Sequence, residues 1–420
     1  MTKMIKMSLI AAVAVTSMTS VASAQNLEDA IKGVDFSGNL RYRYTNGEAT
    51  TTDINEYQLQ MTLKSKVNDM VTAKVSTTTT DSTGDKSDST SATAGHAGDA
   101  DPTGATIAEA NFAFALPGAT VIAGKQALAT PFADGAIDSQ QGTGVVALVP
   151  VAGVTIAGGL YLNTDAHSTA YNNYVNGLGL AGTTLSDLGL DGNNIAAIAA
   201  IGSAANVKYA VWYAKVSEVA IGSNTNSVIA PANVTTDAIL ATRAGATAMN
   251  LNLSAPVGPV NVEVNYAKVD YSLSNNTLNL KELSPTQSRI VVSGDVSGIS
   301  LAAGYVKVGK DGGDVTLGDT DATANFVMEA FSASALTDTN AFYLAAGMPV
   351  GPVTAKIEYG TTSDIDGTDT VDTKFSETKL SVAYAMSKNF TVSAFIANDS
   401  SDNAGLDKAD TNRIELNYTF

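Results

Sequence analysis

Histidine and cysteine, two side chains that commonly supply catalytic groups, are almost absent from this 420-residue chain. The chain has no cysteine and only two histidines, His96 and His167, which lie in polar stretches that we predict to be loops. A nucleophilic hydrolase needs a histidine held by a carboxylate beside a nucleophile, and neither histidine has that setting. We therefore expect no catalytic residue and no enzymatic activity.

Carboxylates are the abundant ionisable groups, with 41 Asp and Glu against 24 Lys and Arg. Several occur in close groups within predicted loops, and carboxylate oxygens are ligands that Ca²⁺ prefers. None of these groups has the twelve-residue calcium-loop spacing with its terminal Glu. We expect a solvated acidic rim with at most weak Ca²⁺ binding, no confident metal site and no cofactor. The groups are Asp99/Asp101, Asp311/Asp314, Asp319/Asp321 and Asp364/Asp366/Asp369.

Two further carboxylates, Asp134 and Asp138, lie in residues 127–142, a segment without any basic residue. This segment is the third long connection between the strands predicted below, and a connection that folds into the lumen of a barrel narrows that lumen. Charged side chains that line a pore select ions by sign. We predict that residues 127–142 form a pore constriction, and the alternative is an exposed loop with two hydrated carboxylates. The basic residues expected on the facing walls are Arg41, Arg43 and Lys125.

Alternation of apolar and polar residues with period two recurs along the chain. In residues 35–44, Phe36 and Leu40 fall on one face of a strand and Arg41 and Arg43 on the other, because successive strand side chains point to opposite faces. Eight segments alternate clearly and ten more weakly, so we predict about 18 strands. They are residues 35–44, 56–64, 71–76, 249–254, 260–266, 353–359, 379–386 and 413–420, then 111–116, 121–125, 145–149, 154–162, 195–201, 207–213, 288–296, 299–307, 342–348 and 390–396.

The polar faces of the clear strands carry charges and amides that require water. Tyr and Phe recur near the strand ends of the apolar faces, which is typical of aromatic girdles at a membrane interface. These two faces indicate lipid on one side and an aqueous lumen on the other. The predicted lumen-lining residues are Gln58, Gln60, Lys64, Glu263, Lys356, Glu358, Arg413 and Glu415.

The connections alternate between short turns rich in Pro and Gly and long polar stretches, as in outer-membrane barrels. An open sheet edge in lipid leaves backbone groups unsatisfied, so the sheet must close. The predicted fold is all-β: a closed antiparallel transmembrane β-barrel of about 18 strands over residues 35–420, with short periplasmic turns and long extracellular loops. Such a barrel encloses more space than its side chains fill, so its lumen should be wet.

The N-terminus has the parts of a secretory signal peptide. Lys3 and Lys6 precede an apolar run at residues 7–15, and a small-residue site ends at Ala24. We predict a signal peptide at residues 1–24 and cleavage before Gln25. A short lead-in, residues 25–34, would follow, with one helical turn at residues 27–31. Without Lys3 and Lys6, 22 basic residues face 41 acidic ones, a formal charge of −19 that disfavours nucleic acid.

Seven segments of the chain carry a family resemblance. They are Asn26-Leu27-Glu28-Asp29-Ala30-Ile31-Lys32, Val34-Asp35-Phe36-Ser37-Gly38, Leu40-Arg41-Tyr42-Arg43-Tyr44, Gly124-Lys125-Gln126, Gly142-Thr143-Gly144-Val145, Trp212-Tyr213-Ala214 and Asn417-Tyr418-Thr419-Phe420. The chain resembles the major outer membrane porins of Campylobacter and related epsilonproteobacteria, most strongly at the first two strands, residues 124–145 and the C-terminus. The resemblance implies an 18-stranded trimeric porin for small hydrophilic solutes, often cation-preferring.

We therefore expect an outer membrane porin for passive diffusion of ions and small hydrophilic solutes, with cation preference. Its expected partners are outer membrane lipid and lipopolysaccharide, two further copies in a homotrimer, and the barrel-assembly machinery, which would bind the C-terminal strand ending in Phe420. Two alternatives remain open. One is a substrate-specific outer membrane channel, and the other is a surface β protein or adhesin without a pore.

Overall fold

A single closed β-sheet makes up nearly all of the described structure. The computed structural model describes residues 33–47, 54–84, 105–134, 140–166, 193–220, 243–276, 280–317, 321–328, 332–363, 374–401 and 410–420. The predicted signal peptide and its cleavage site, the helical turn at 27–31 and most of the lead-in lie outside these residues. Within them the one helix is a short 3₁₀ turn, Ala333–Ala335. No helix in this part of the chain is long and apolar enough to cross a membrane.

The sheet contains 18 strands, each antiparallel to its two neighbours. The first strand pairs with both the second and the last, so the sheet has no free edge. The strands are β1 (Val34–Gly47), β2 (Ile54–Lys66), β3 (Val71–Gly84), β4 (Thr106–Leu116), β5 (Ala119–Ala127), β6 (Gln141–Val151), β7 (Val154–Thr164), β8 (Asn193–Ala204), β9 (Val207–Ala220), β10 (Arg243–Val257), β11 (Val260–Ser274), β12 (Thr286–Val296), β13 (Ile299–Val308), β14 (Asn340–Val350), β15 (Val353–Thr362), β16 (Phe375–Ala385), β17 (Phe390–Ser401) and β18 (Asp410–Thr419).

The predicted closed antiparallel barrel of about 18 strands is confirmed. Each of the 18 predicted segments has its counterpart in one observed strand, in the same order. Several strands are longer than predicted. For example, β3 continues to Gly84, and β10 begins at Arg243, because the backbone ladder extends through polar residues in β3 and mostly small residues in β10, beyond the region where apolar and polar residues alternate.

One end of the barrel has only short connections. The turns Ala152-Gly153, Ala205-Asn206 and Ser297-Gly298 have two residues each, and both residues of each turn have positive φ. This geometry matches the right-handed twist of the flanking strands, so such turns favour tight hairpins. The long connections all lie at the opposite end, which corresponds to the extracellular end of an outer-membrane barrel.

The outer face of the sheet is apolar. Directly opposite residues in antiparallel strands share a face, and rows such as Leu40–Leu59 and Leu344–Tyr359 consist of large apolar side chains. Many of these side chains are exposed on the barrel, as Leu344 is at 56%. Exposed apolar surface of this extent would be unstable in water, and it is the surface that a lipid bilayer covers.

The inner face is divided into two halves. From β7 to β11 the inner residues are mostly small or apolar, in contrast to the polar face predicted for every strand. They form a buried cluster with residues of four connections, those between β5 and β6, β7 and β8, β11 and β12, and β13 and β14. The L3 segment (residues 128–134) contributes Leu128 and Phe132. The L7 segment (residues 309–339, described at 309–317, 321–328 and 332–339) contributes Val315, Leu317 and Ala324. We call this set the inner apolar cluster. It occupies part of the barrel interior beside these strands.

The seam that closes the barrel is covered by aromatic rings. Phe420 and Gly38 exchange two backbone hydrogen bonds of 2.9 and 3.1 Å. The Phe420 ring packs against Phe36 and Tyr418, with centroid distances of 5.3 and 5.7 Å. A methyl group on Gly38 would lie 2.5 Å from Phe420 Cζ, so glycine allows the ring to cover the backbone.

Neighbouring residues on β14 test whether the two faces meet different solvents. Leu344 points outward, whereas Ala345 points inward and pairs with Glu358. We expect Leu344→Arg to cost about 2–4 kcal/mol near the bilayer midplane and to lower folding yield. Ala345→Arg should fold like the wild type. Heat-modifiable gel migration after refolding into vesicles measures both, and equal yields would contradict the assignment of faces.

Phe420→Ala should destabilise the seam by about 1–3 kcal/mol, because it removes two aromatic contacts worth about 0.5–1.5 kcal/mol each. Urea unfolding in lipid vesicles, followed by the fluorescence of the single tryptophan, Trp212, measures this loss. Phe112→Ala is the matched control, since Phe112 is an exposed outward aromatic on β4, away from the seam. Equal losses in both variants would show that the seam contacts contribute nothing specific.

Candidate functional site

Charged side chains form an ion-pair ladder across the inner wall where the barrel closes. Arg41 Nη2 lies 2.6 Å from Glu56 Oε1, and Arg43 Nη2 lies 3.0 Å from Glu415 Oε2. Arg43 Nη1 also lies 3.8 Å from Glu56. The register explains these contacts, because Arg43 stands directly opposite Glu56 on β2 and Glu415 on β18. This part of the wall is therefore charged but locally compensated.

An aromatic ring continues the same wall on β17. Lys379 Nζ lies 4.1 Å and the Arg413 guanidinium carbon 4.9 Å from the centroid of Phe395, within the range of a cation–π contact. Arg413 Nε also donates to Thr45 Oγ1 at 3.1 Å. Two cations are thus held beside one ring, next to the Arg43–Glu415 pair.

Further pairs lie on the flanking strands. On β15, Lys356 Nζ lies 2.6 Å from Glu358 Oε1, which also accepts from the Tyr343 hydroxyl at 3.0 Å. On the other side, Lys74 and Glu109 form an ion pair. In each of these pairs a cation has a carboxylate neighbour, so this part of the wall carries both signs of charge.

The structure places all but one of the predicted wall residues that it describes on the inner face. Arg41, Arg43 and the eight predicted lumen-lining residues share that face, and Gln58 is almost fully buried there. Lys64 stands opposite Lys74. The predicted residues on this face are Arg41, Arg43, Gln58, Gln60, Lys64, Glu263, Lys356, Glu358, Arg413 and Glu415.

Lys125 is the exception, and its assignment to the constriction is corrected. It stands opposite Thr143 on β6 and Ala110 on β4, in phase with the exposed Val145 and Phe112. Lys125 is therefore on the outer face, where its ammonium donates to the Ile107 carbonyl at 2.7 Å. Val121, Ile122 and Ala123 make both faces of β5 apolar before it, which hides the phase of the strand.

The L3 segment folds inward and contacts the L7 segment. Leu317 N donates to the Phe132 carbonyl, and Ala324 N donates to the Pro131 carbonyl, both at 2.8 Å. Phe132 is completely buried in the inner apolar cluster. Asp134 follows this contact and is half-buried, while Asp138 lies outside the described residues. Part of the predicted constriction loop is thus inside the barrel, held there by a second loop.

The acidic groups considered for calcium have other partners where they are described. Asp311 Oδ1 lies 2.5 Å from Lys281 Nζ, and Asp314 accepts from the backbone and hydroxyl of Thr316 at 3.2 and 2.9 Å. Among the described residues, no group of three or more Asp, Glu, His or Cys is placed to hold a metal ion. Asp321 is also among the described residues. The remaining acidic residues of these groups lie outside them, namely Asp99, Asp101, Asp319, Asp364, Asp366 and Asp369, and so do both histidines, His96 and His167.

Two inner residues that hold the L7 segment, Gln287 and Arg289, were not singled out from the sequence. Arg289 donates to the carbonyls of Thr323 and Asn325, and Gln287 donates to the Gly313 carbonyl. A weak signal was present, because Arg289 has the inner phase of the predicted strand 288–296 and Gln287 directly precedes that strand in the same phase. Their partners are backbone groups of a distant loop, which no residue pattern reveals.

A closed barrel with an apolar outer face, a charged inner wall and inward-folded loops defines an outer membrane channel. The chain belongs to the Campylobacter major outer membrane protein family, whose model matches residues 2–420. This membership confirms the resemblance seen in the sequence and the outer membrane location. No curated protein is detectably similar in sequence to the chain.

Solved outer membrane proteins share the fold at low sequence identity. OccK3 (OpdO) of Pseudomonas aeruginosa is 14% identical with a TM-score of 0.64, covering 94% of this chain and 97% of its own. OpdK of P. aeruginosa, in a structure with vanillate, is 12% identical with a TM-score of 0.65, covering 93% and 99%. OccAB3 of Acinetobacter baumannii is 10% identical with a TM-score of 0.64, covering 93% and 99%. These likenesses concern the fold.

Proposed function

We propose that the protein is a diffusion porin whose aqueous passage runs along the charged half of the inner wall. The observation that carries this proposal is the partial exposure of the ion pairs there. Their side chains keep between 10% of their surface (Glu109) and 43% (Lys356) accessible inside the barrel. Paired charges that retain this much exposure stay hydrated, so the wall beside them can pass ions and small hydrophilic solutes.

The inner apolar cluster supports a narrow, off-centre passage. It places L3 and L7 residues against the β7–β11 side of the barrel, and in this proposal solutes pass on the opposite side. Asp134 follows the buried part of L3. In this proposal Asp134 and Asp138 face the passage, and Arg41 and Arg43 lie on the wall across from them. A transverse field would result, without a contribution from Lys125.

The porin is proposed to prefer cations. Four basic groups of the wall have ion-pair partners, namely Arg41, Arg43, Lys74 and Lys356. The L3 carboxylates have no basic residue within their own segment, and the whole chain has a formal charge of −17. In this proposal the carboxylates of L3 and of the acidic loops therefore determine which sign of ion the channel prefers. No catalytic step and no cofactor is part of this proposal, and Ca²⁺ binding by the loops would be weak.

Three partners complete the proposal. Outer membrane lipid and lipopolysaccharide would cover the apolar outer face. The functional unit would be a homotrimer. The barrel-assembly machinery would recognise the C-terminal strand, whose last residue, Phe420, covers the closing seam. Export through cleavage of residues 1–24 remains a prediction from the sequence.

A substrate-specific channel is the second candidate function. It is favoured by Phe395, an aromatic ring on the inner wall with Lys379 and Arg413 beside it. A similar barrel, OpdK, has been crystallised with vanillate, an aromatic carboxylate. The combination of a ring and two cations could retain such a solute, whereas a diffusion porin would only sieve by size.

Single-channel conductance and liposome swelling separate these functions. A diffusion porin should conduct in planar bilayers and give swelling rates that fall smoothly as sugar size increases. A specific channel should instead favour one solute, such as vanillate, over sugars and carboxylates of equal size. If folded, detergent-extracted protein passes no current, the surface protein without a pore becomes the better description.

Replacing Asp134 and Asp138 together with Asn should reduce cation preference, because it removes the L3 charges without a large change in volume. The reversal potential in a KCl gradient should move toward zero. Asp69→Asn is the matched control, since Asp69 lies in the turn between β2 and β3, outside the strands. Wild-type anion preference, or an equal shift in the control, would contradict the proposed role of L3.

A further inference from the structure

The L7 segment is attached to the inner face of β12 by a buried amide. Gln287 is only 2% exposed. Its Nε2 donates to the Gly313 carbonyl and to Asn325 Oδ1, both at 2.6 Å, and its Oε1 accepts from Phe326 N at 3.2 Å. One side chain thereby joins both ends of residues 313–326, and its donor and acceptor groups are both used.

Arg289, two residues further along β12, holds the same segment through its guanidinium group. Nη1 donates to the Asn325 carbonyl at 2.7 Å, and Nη2 donates to the Thr323 carbonyl at 3.2 Å. Nη2 also lies 3.4 Å from Glu263, which supplies the compensating charge. A rigid planar fork can contact two carbonyl groups that lie two residues apart, which suits arginine better than lysine.

The opposite side of residues 323–324 contacts L3. Ala324 N donates to the Pro131 carbonyl at 2.8 Å, and Thr323 Oγ1 donates to the same carbonyl at 3.5 Å. Residues 323–325 are therefore sandwiched between the wall of the barrel and the candidate constriction loop. The L7 backbone at residues 323–325 therefore links the Arg289 guanidinium to the Pro131 carbonyl through hydrogen bonds.

We infer that Gln287 and Arg289 are positioning residues that set the width of the constriction by fixing L7 behind L3. The constriction would then be a two-loop structure held from β12, and L3 could not withdraw from or advance into the passage on its own. This inference rests on the proposed porin function and deepens it. Glu263, predicted as a lumen-lining residue, gains the second role of holding the Arg289 fork in place.

Arg289→Ala and Gln287→Ala in the full-length protein test the inference. Either change should remove hydrogen bonds that hold L7 against β12, so L7 would no longer fix the position of L3. The open-channel current noise should then increase, and the mean conductance should rise about twofold. The size limit in liposome swelling should rise as well. Arg289→Lys should give an intermediate increase, because an ammonium group keeps the charge and loses the planar fork.

Ala324→Pro tests the same series of contacts, from Arg289 through L7 to L3, at the hydrogen bond between L7 and L3. It removes the N–H that donates to Pro131 and leaves the Thr323 and Asn325 carbonyls that Arg289 contacts. Its conductance and current noise should match those of Arg289→Ala. The double variant should show little further increase in either quantity, because both changes interrupt the same series of contacts between β12 and L3. Arg243→Ala is the control for loss of an arginine, since Arg243, the first residue of β10, contacts Glu218 and none of the described L7 residues.

Heat-modifiable migration identifies folded variants before any current is measured. Folded Arg289→Ala and Ala324→Pro channels with wild-type conductance and noise would overturn the inference while the porin function stands. A larger effect in Arg243→Ala than in Arg289→Ala would also overturn it. A folded wild-type protein that passes no current would overturn the proposed function and, with it, this inference. If Arg289→Ala does not fold, Arg289→Lys and Ala324→Pro decide the outcome.

Discussion

Backbone hydrogen bonding inside lipid is the constraint on which this structure depends. Hydrocarbon offers no partner to an N–H or C=O group, so every strand must pair along both edges, and β1 must pair with β18. The requirement is met by the backbone alone. The inner side chains are therefore free to vary, and the same sheet can hold an apolar loop cluster on one side and hydrated ion pairs on the other.

The two halves of the lumen have different physical roles. Small inner residues such as Ala248 and Ala267 let the L3 and L7 segments approach the wall closely, and the resulting cluster is fully buried. The ion pairs of the other half remain partly exposed, and pairs of that kind contribute little to stability. The apolar half thus supports the loops, while the charged half can serve conduction without being required for folding.

The strands could be predicted because lipid and water impose opposite requirements on alternate residues. That signal is clear in β1 and β18, where Arg41 and Glu415 alternate with Leu40 and Leu416. It fades in β5, where Ile122 faces inward and Val121 outward, and there the prediction placed Lys125 on the wrong face. The alternation of apolar and polar residues also ends before the strands end, since the hydrogen-bond ladder of β3 continues past its last apolar residue.

The sequence alone determined the strand order, the closure and the charged wall, because each follows from local alternation and from the cost of an open edge in lipid. Only the tertiary structure decided how the lumen is divided. Pro131 meets Ala324, and Gln287 meets Gly313, mainly through backbone groups far apart in the chain. Every residue type has the same backbone donor and acceptor, apart from the missing N–H of proline, so such contacts leave no pattern in the sequence.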